Sequence, residues 1–445
     1  MKLEDGSRIA VVGGGPAGSF ASCFLLDMAG RVGMDIGLDI YEPKDFSVLG
    51  PSGCNNCGGI ISESLVQLLA VEGINLPPTV VQRGIDSYVL HTDVGSVRIH
   101  SAGEEKRIAA IHRGSGPRGA QEKQWNSFDG YLLQLACQRG ANLIRGRVED
   151  ITWDDGRPRV SVKGGSAQTY DLVVGALGVN APALKVFERL GFGYRVPKTS
   201  KTYVAEFCLG QHAVTQYLGS SMHVFLLNIP HLEFAAIIPK GECATVCLLG
   251  GAIDKKLVDR FLSAPAVRSC FPPGWTPSTP MCHCAPRINV SEATQPFGDR
   301  VVLIGDSAVT RLYKDGIGAA YRTAKAAAVT AIFQGVSARD FRRHYWPACH
   351  RLVVDNRFGG VVFWVVGLIR RARFTRRGVL RMTQEEQLHG SAGVRAGMSM
   401  VLWDTFTGSG HYKGIVSRAV RPAFLLHLVR ETLGALIAPR ATRSL

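Results

Sequence analysis

Residues 8–18 read RIAVVGGGPAG, in which a short apolar strand leads into a glycine-rich turn and the start of a helix of small residues. Gly13 permits the tight turn, Gly15 lets the backbone approach a pyrophosphate, and Gly18 lets the helix pack closely on the strand. This order of elements predicts a strand–turn–helix unit that binds a dinucleotide.

The helix after this turn begins at Pro16 and Ala17. Its N-terminus would point free N–H groups and the positive end of the helix dipole at the phosphates. A second strand, residues 37–42 (GLDIYE), ends at Glu42, which is placed to accept hydrogen bonds from a pair of ribose hydroxyls. A glycine-rich structural turn would explain the glycines alone, but the strand, helix and terminal carboxylate together favour a dinucleotide site.

The first fingerprint fits either NAD or FAD, so the choice between them depends on the rest of the chain. A second segment favours FAD. Residues 300–318 read RVVLIGDSAVTRLYKDGIG, an apolar strand that ends at Gly305 and Asp306, where a carboxylate suits a ribityl hydroxyl. Lys314 and Asp315 either reach the flavin or substrate, or form an ion pair within the loop. A helix then begins, and its N–H groups and dipole would stabilise an anionic reduced flavin. The residues at this helix start are Gly316, Ile317 and Gly318.

Three motifs resemble those of the glutathione-reductase-type flavoproteins: the turn at 13–18, the segment 171–180 (DLVVGALGVN) and the Gly305-Asp306 pair. Within that superfamily the chain is similar to the geranylgeranyl reductase family, a relative of the aromatic hydroxylases and flavin halogenases. This similarity rests on a Cys-Gly-Gly loop at 57–59, a helix at 127–141 and a pocket strand at 234–241. The resemblance implies an α/β fold with a discontinuous Rossmann-like FAD domain, an antiparallel β-sheet substrate domain and a helical C-terminal region.

The resemblance also implies roles for single residues. It places Cys57 beside the flavin as the candidate catalytic residue, where a thiol could donate a proton or shape the ring environment. It places Arg113 near the FAD phosphates, with a solvated surface arginine as the alternative. The residues that it places in the substrate pocket are Phe234, Ala236, Ile238 and Pro239. The first three stand where the family has Tyr, Trp and Phe, which reshapes the pocket.

Cys54 and Cys57 also have the C-x-x-C spacing of redox exchange or of half a zinc site. A zinc site would need a second pair, for which residues 282–284 (CHC) are the candidate; inert packing is the other alternative, and we predict no metal. The eleven cysteines are interpreted as buried thiols rather than a disulfide framework. Four histidines lack a surrounding motif and are interpreted as structural hydrogen-bonding residues: His91, His223, His231 and His283.

The composition is that of a globular protein, because 46% of the 445 residues are hydrophobic and 20% are charged. Lys and Arg outnumber Asp and Glu by 51 to 36, which gives a net charge of +15. Such a surplus favours anionic partners. We nevertheless predict no nucleic-acid binding, because the basic residues have neither interleaved aromatic residues nor a recognition motif.

An apolar stretch at residues 359–369 (GGVVFWVVGLI) runs directly into the arginine-rich segment 370–377 (RRARFTRR). No apolar run approaches the roughly 18 residues that span a bilayer, and this one is about half that length. An apolar stretch with a basic collar is typical of an interfacial helix on anionic lipid, with a core helix as the alternative. Since the chain opens without the layout of an export signal, we expect a cytoplasmic protein, peripheral on the inner face of the membrane.

We predict an FAD-binding domain from residues 1–80, 101–190 and 290–335, a substrate-binding sheet from 81–100 and 191–289, and a helical region from 336–445. The predicted activity is that of an FAD-dependent reductase or dehydrogenase on C=C or C–C bonds of a lipophilic, isoprenoid or polyketide-like substrate. The alternatives are a monooxygenase that hydroxylates an aromatic or lipid substrate, and a flavoprotein electron-transfer subunit of a membrane-associated complex. The halogenase motifs are not visible. Without a second glycine-rich fingerprint, NAD(P)H or another redox partner would bind transiently.

Overall fold

The computed structural model describes residues 1–55, 58–100, 107–117, 126–276, 282–388 and 397–437. Its strands are β1 (Ser7–Val12), β2 (Ile36–Tyr41), β3 (Ile60–Ile61), β4 (Val81–Ile85), β5 (Ser87–Thr92), β6 (Gly95–His100), β7 (Ile108–Ile111), β8 (Asn142–Ile144), β9 (Val148–Asp154), β10 (Arg157–Val162), β11 (Gln168–Thr169), β12 (Leu172–Gly175), β13 (Thr199–Cys208), β14 (Ser221–Phe225), β15 (Leu232–Lys240), β16 (Cys243–Gly250), β17 (Cys282–Cys284), β18 (Arg287–Asn289), β19 (Phe297–Gly298) and β20 (Val301–Leu303). Its helices are α1 (Pro16–Arg31), α2 (Glu63–Val71), α3 (Phe128–Gln138), α4 (Leu184–Arg189), α5 (Gln211–Tyr217), α6 (Lys255–Leu262), α7 (Pro265–Arg268), α8 (Gly316–Phe333), α9 (Ala338–Asp340), α10 (Trp346–Arg371), α11 (Arg373–Leu388), α12 (Gly397–Thr407), α13 (Tyr412–Ala419) and α14 (Pro422–Ile437).

The first sheet is built around β1 and has the strand order β19-β20-β12-β1-β2-β8. β1 pairs in parallel with β2 on one side and with β12 on the other. Alternate residues of β1 enter two different cores: Ile9 and Val11 pack with α1, α3 and α8, whereas Ala10 and Val12 pack on the opposite face. A parallel sheet that is covered on both faces needs such a continuous apolar strand. The predicted α/β class with a Rossmann-like sheet is confirmed.

The second sheet has the order β17-β13-β16-β15-β14-β5-β6 and is antiparallel except where β14 and β5 run in parallel. Its strands alternate between two environments. On β14, Met222 and Val224 face a core that also contains Phe406 of α12, whereas Phe225 faces α6 and α7 and packs edge-on against Phe261. The predicted antiparallel sheet is therefore confirmed, and one of its faces is available to border a cavity.

The C-terminal region is helical, as predicted. A turn of π-helix, Phe341–Tyr345, joins α9 to α10, so that Ala338–Arg371 form one continuous helix. By length and composition this helix could cross a membrane. The uninterrupted apolar run within it is shorter than roughly 18 residues, as the sequence indicates, but the whole helix is long and apolar enough on average to pass this test. Core helices of soluble proteins pass the same test. Cys349 and Leu352, in the first half of α10, are buried in the core that contains Ile9 and Val11 of β1.

One disulfide joins Cys208 of β13 to Cys243 of β16, two residues that stand directly opposite each other in the antiparallel ladder. The interpretation of all the cysteines as buried thiols was wrong for this pair. No sequence motif indicated this disulfide, because residues 208 and 243 become neighbours only through the pairing of β13 with β16.

Candidate functional site

The turn after β1 has no room for a side chain at two of its glycines, Gly13 and Gly18. Gly13 has φ of 108°, and a Cβ there would lie 2.6 Å from the carbonyl oxygen of Ala176. A Cβ on Gly18 would overlap the carbonyl oxygen of Gly13, so the close packing of α1 on β1 requires glycine. Gly15 differs, because its open side faces a cavity. A phosphate-binding turn needs both features: close backbone packing at Gly13 and Gly18, and open space for the phosphate beside Gly15.

Glu42 lies immediately after β2 and lines the same cavity. Its carboxylate accepts hydrogen bonds from the backbone N–H of Gly14 at 2.9 Å and of Lys44 at 2.8 Å. Burial raises the pKa of Glu42, and these two hydrogen bonds oppose that rise. The side chain is thus held rigidly at the end of the second strand, where the sequence predicts a ribose acceptor.

Arg113 lies beside the turn and is anchored by the buried carboxylate of Asp129, to which its Nε and Nη2 both donate. A Cβ on Gly15 would lie 3.9 Å from Nη2 of Arg113. Asn55 donates to the same carboxylate and itself accepts a hydrogen bond from Lys44. Arg113 is therefore a largely buried, paired residue beside the α1 N-terminus rather than a solvated surface arginine.

The second predicted segment enters the cavity from the other side. Gly305 has φ of 61°, and its N–H donates to the hydroxyl of Thr323. Asp306 lines the cavity, and burial raises the pKa of its carboxyl, while Thr310 and Arg113 act in the opposite direction. Gly316 and Ile317 line the cavity at the start of α8, whereas Gly318 packs against the carboxylate of Asp315.

Asp315 does not pair with Lys314 as one alternative expected. It pairs instead with Arg322 at 2.8 Å and with Arg311 at 3.6 Å, and it accepts a hydrogen bond from Ser62. The Lys314 side chain is therefore not held by Asp315. Tyr313 and Asp315, on either side of it, have φ of 61° and 48°, values that are uncommon for residues other than glycine. Such backbone strain is frequent at functional sites.

Lys314 lies in a cage of aromatic rings. Its Nζ is 5.9, 5.6 and 5.7 Å from the ring centroids of Phe234, Phe363 and Phe406. The nitrogen is buried and makes no hydrogen bond within the described part of the chain, while the residue lines the cavity. Burial and the nearby Arg311 guanidinium hold the pKa of Lys314 well below its ordinary value. Lys314 was a candidate from its sequence position. The cage was not predictable, because its rings come from three distant segments.

The cavity has a volume of about 520 Å³ and runs from the glycine turn to the face of the antiparallel sheet. Its sheet end is apolar and includes three of the predicted pocket residues, Phe234, Ala236 and Ile238. Pro239 is the exception: it is not among the lining residues and pairs with Ala244 of β16. The alternation of a strand accounts for this, because Ala236 and Ile238 face the cavity and Pro239 faces away.

The predicted catalytic residue, Cys57, lies outside the described residues. Near Gly59 the structure reveals a group of buried polar residues that the sequence did not suggest. Lys240 Nζ lies 3.6 Å from Glu206, and the other oxygen of this carboxylate accepts a hydrogen bond from Thr245 at 2.7 Å. Burial, aided by Lys240 and opposed by Glu206, lowers the pKa of His112 to about 4. No motif marks these residues, because they meet only across paired strands.

Cys54, Cys282 and Cys284 line a small cavity of about 40 Å³ together with His112 and Glu206. The two cysteine segments that a zinc site would need are therefore near each other in the fold. In the described residues, however, no three ligand atoms from this group lie close enough together to hold an ion.

No protein-family model matches the chain, and no curated protein matches its sequence. Solved structures do match its fold. A geranylgeranyl bacteriochlorophyll reductase-like protein from Thermoplasma acidophilum has a TM-score of 0.67 at 14% identity, over 94% of this chain and 99% of that one. The halogenase PltM in complex with phloroglucinol and FAD has a TM-score of 0.59 at 10% identity, over 96% of each chain. A flavoprotein/dehydrogenase from Cytophaga hutchinsonii has a TM-score of 0.57 at 13% identity, over 97% of this chain and 98% of that one. The chain therefore has the fold of the FAD-binding oxidoreductases.

Proposed function

We propose that the protein is an FAD-dependent reductase or dehydrogenase that acts on C=C or C–C bonds of a lipophilic, isoprenoid or polyketide-like molecule. The observation that carries the proposal is the single cavity that connects the glycine turn to an apolar wall of the antiparallel sheet. A cofactor in one half of this cavity would have its reactive end directed at a substrate in the other half. The fold likeness to an FAD-bound halogenase supports the proposed cofactor, and the likeness to a reductase-like protein supports the proposed reaction.

The residues fit FAD. A Cβ would fill the backbone cradle at Gly13, the open side of Gly15 faces the cavity, and Glu42 and Asp306 offer carboxylates at two strand ends. Gly13, Gly15, Pro16, Ala17 and Arg113 would hold the pyrophosphate, Glu42 a ribose, and Asp306 the ribityl chain. When bound, FAD supplies hydride transfer, and the protein positions the substrate and excludes water.

The substrate class is inferred from the cavity wall that lies opposite the glycine turn, on the antiparallel sheet. Apolar side chains dominate there, and the amine of Lys314 beside them is enclosed by phenyl rings rather than exposed to water. A polar substrate would lose its hydration without gaining partners in such a site. NAD(P)H or ferredoxin would bind transiently and donate electrons to the cofactor, and in the dehydrogenase direction a quinone would accept electrons from it.

We also propose that the protein lies on the anionic inner face of the membrane, on the cytoplasmic side, where a lipophilic substrate would be found. Large apolar side chains are exposed on α10 and α14: Val361, Trp364, Val365, Leu368, Leu425, Leu426, Val429 and Leu433. Exposed arginines flank them at Arg371, Arg373, Arg421 and Arg430. This combination suits interfacial helices on anionic lipid. Arg376 does not take part, because it is buried and bonded to Asp93.

The test is the absorbance spectrum of the purified protein, followed by anaerobic addition of NADPH and then of air. We expect a flavin spectrum, directly or after reconstitution with FAD. A protein without a flavin spectrum even after reconstitution would contradict the proposal.

The response to oxygen then separates the proposed reaction from hydroxylation. Hydroxylation is the alternative because a peptidyl tryptophan dihydroxylase shares the fold, with a TM-score of 0.55 at 15% identity over 81% of this chain and 75% of that one. We expect a reduced flavin that reacts slowly with oxygen and reduces a polyprenyl substrate anaerobically. Rapid bleaching by NADPH with fast reoxidation in air would favour the monooxygenase. A flavin that cycles with a redox partner but turns over no lipophilic substrate would favour the electron-transfer subunit.

A further inference from the structure

A second cluster of reactive side chains lies on the outer face of the antiparallel sheet, away from the cavity. His91 of β5 and His223 of β14 extend from adjacent parallel strands, and Cys270, just after α7, lies over them. All three residues are buried. Their ligand atoms lie within 4.8 Å of one another. On β14 the side chains alternate, so Met222 lines the cavity while His223 joins this cluster.

The two sulfur–nitrogen distances match those around a tetrahedral metal ion, whereas the nitrogen–nitrogen distance is shorter. Cys270 Sγ is 3.4 Å from His223 Nδ1 and 3.7 Å from His91 Nε2, and the two nitrogens are 2.8 Å apart. Zinc bonds of about 2.05 Å to nitrogen and 2.3 Å to sulfur give separations of about 3.3 Å between nitrogens and about 3.6 Å between nitrogen and sulfur. The cluster would need to open by about half an ångström between the two rings to admit the ion.

The outer nitrogen of each ring is already held, as metal-binding histidines require. His223 Nε2 lies 3.2 Å from the carbonyl oxygen of Leu218, which can only accept, so this nitrogen carries the proton and Nδ1 presents its lone pair to the cluster. His91 Nδ1 lies 2.8 Å from the hydroxyl of Ser96. When that nitrogen donates to Ser96, the Nε2 lone pair also points at the cluster.

We propose that His91, His223 and Cys270 bind one Zn²⁺ ion. Two imidazoles and a thiolate are ligands that zinc prefers, and three protein ligands leave one position for water. Among the described residues, no fourth His, Cys or carboxylate atom completes the group. The site ties β5, β14 and the α7 segment together behind the strand whose Met222 borders the cavity, so its role is to fix that wall. It does not depend on the proposed flavin chemistry.

The alternative is a metal-free chain of hydrogen bonds, in which Ser96 donates to His91 and His91 donates to His223. It would hold the same three segments together without an ion. The two states differ in composition, and an elemental measurement distinguishes them directly.

The experiment measures zinc in the full-length protein by mass spectrometry after growth with zinc and dialysis against metal-free buffer, together with X-ray absorption at the zinc edge. We expect one zinc per chain with one sulfur and two imidazole nitrogens as ligands. Less than a tenth of an equivalent that zinc addition does not raise, or a sulfur-rich ligand shell, would overturn the proposal. The wild-type measurement requires no variant, so it stands even where a substitution prevents folding.

Two matched variants locate the ion. Cys270→Ser should lose at least tenfold in zinc occupancy, whereas Cys282→Ser, in the small cavity beside Cys54, should retain the wild-type content. The reverse result would place the metal at the other cysteine group and overturn the assignment. A chelator should lower the thermal midpoint of the wild type and leave that of Cys270→Ser unchanged.

Discussion

Two glycines of α1 differ in what a methyl group would meet. A Cβ on Gly18 would overlap the carbonyl oxygen of Gly13, whereas nothing lies within 4 Å of a Cβ on Gly30. Gly18→Ala should therefore lower the free energy of unfolding by about 1–3 kcal/mol through overpacking. Gly30→Ala should raise it by up to about 1 kcal/mol, because alanine favours the helix. Urea unfolding of both variants checks this prediction, and equal effects would contradict it.

Lys314 should make the stability depend on pH. Its pKa is lower in the folded than in the unfolded state, so the unfolded chain binds more protons over the interval between the two values. The free energy of unfolding should accordingly rise with pH toward the ordinary lysine pKa, by at most about 1.4 kcal/mol per pH unit.

The measurement is urea unfolding of the wild type and Lys314→Met from pH 7 to pH 9.5. The variant should be more stable at pH 7, and its advantage should shrink as the pH rises. Lys163→Met, which alters an exposed lysine, serves as the control and should leave the pH dependence unchanged. A gap between wild type and Lys314→Met that stays constant would show that Lys314 is charged in the folded state.

At the scale of elements, the exposed faces of α10 and α14 should determine lipid binding. Trp364 is 65% exposed and Leu426 is 71% exposed, so both side chains are free to enter a bilayer interface. The double variant Trp364→Gln/Leu426→Gln should reduce co-sedimentation with vesicles rich in phosphatidylserine at least fivefold without changing the far-UV spectrum.

Val71→Gln provides the control, because Val71 is even more exposed, at 82%, but belongs to α2 in the first half of the chain. It should bind the vesicles like the wild type. Binding that is unaffected by the double variant, or that also occurs on neutral phosphatidylcholine vesicles, would contradict an anionic membrane partner.

The elements that were predictable are those whose information is local. The apolar run of β1, the glycines after it and Glu42 at the end of β2 all lie within 42 residues, and the structure arranges them as expected. The aromatic cage of Lys314 and the His91–His223–Cys270 cluster were not predictable. Their members lie on separate strands and helices. Pairing of β5 with β14 brings His91 and His223 together, whereas packing of α10 and α12 brings Phe363 and Phe406 to Lys314. Pro239 was misplaced for the same reason, since the register of β15 decides which side chains face the cavity.

For the whole molecule, FAD should act as a stabilising ligand. A cofactor that binds only the folded chain raises the free energy of unfolding by about 2.7 kcal/mol at a concentration 100 times its Kd. Gly15→Ala should weaken this effect strongly while hardly changing the stability of the flavin-free protein, because the added methyl group occupies the open side of the turn, 3.4 Å from Asn55 at the closest. Unfolding with and without FAD tests both parts. An equal shift in wild type and variant would place the cofactor elsewhere.

The order of strands in the parallel sheet has a consequence for biosynthesis. β1 pairs with β12, which begins at residue 172, and β12 in turn pairs with β20 at residues 301–303. At a translation rate of roughly 5–20 residues per second, the N-terminal strand waits about 8–32 s for its inner neighbour and roughly a further 6–26 s for β20. During that interval the nascent chain presents an apolar strand with an unpaired edge, which is prone to aggregation. The protein should therefore depend on ribosome-associated chaperones, and fragments that end before residue 301 should be recovered as insoluble material.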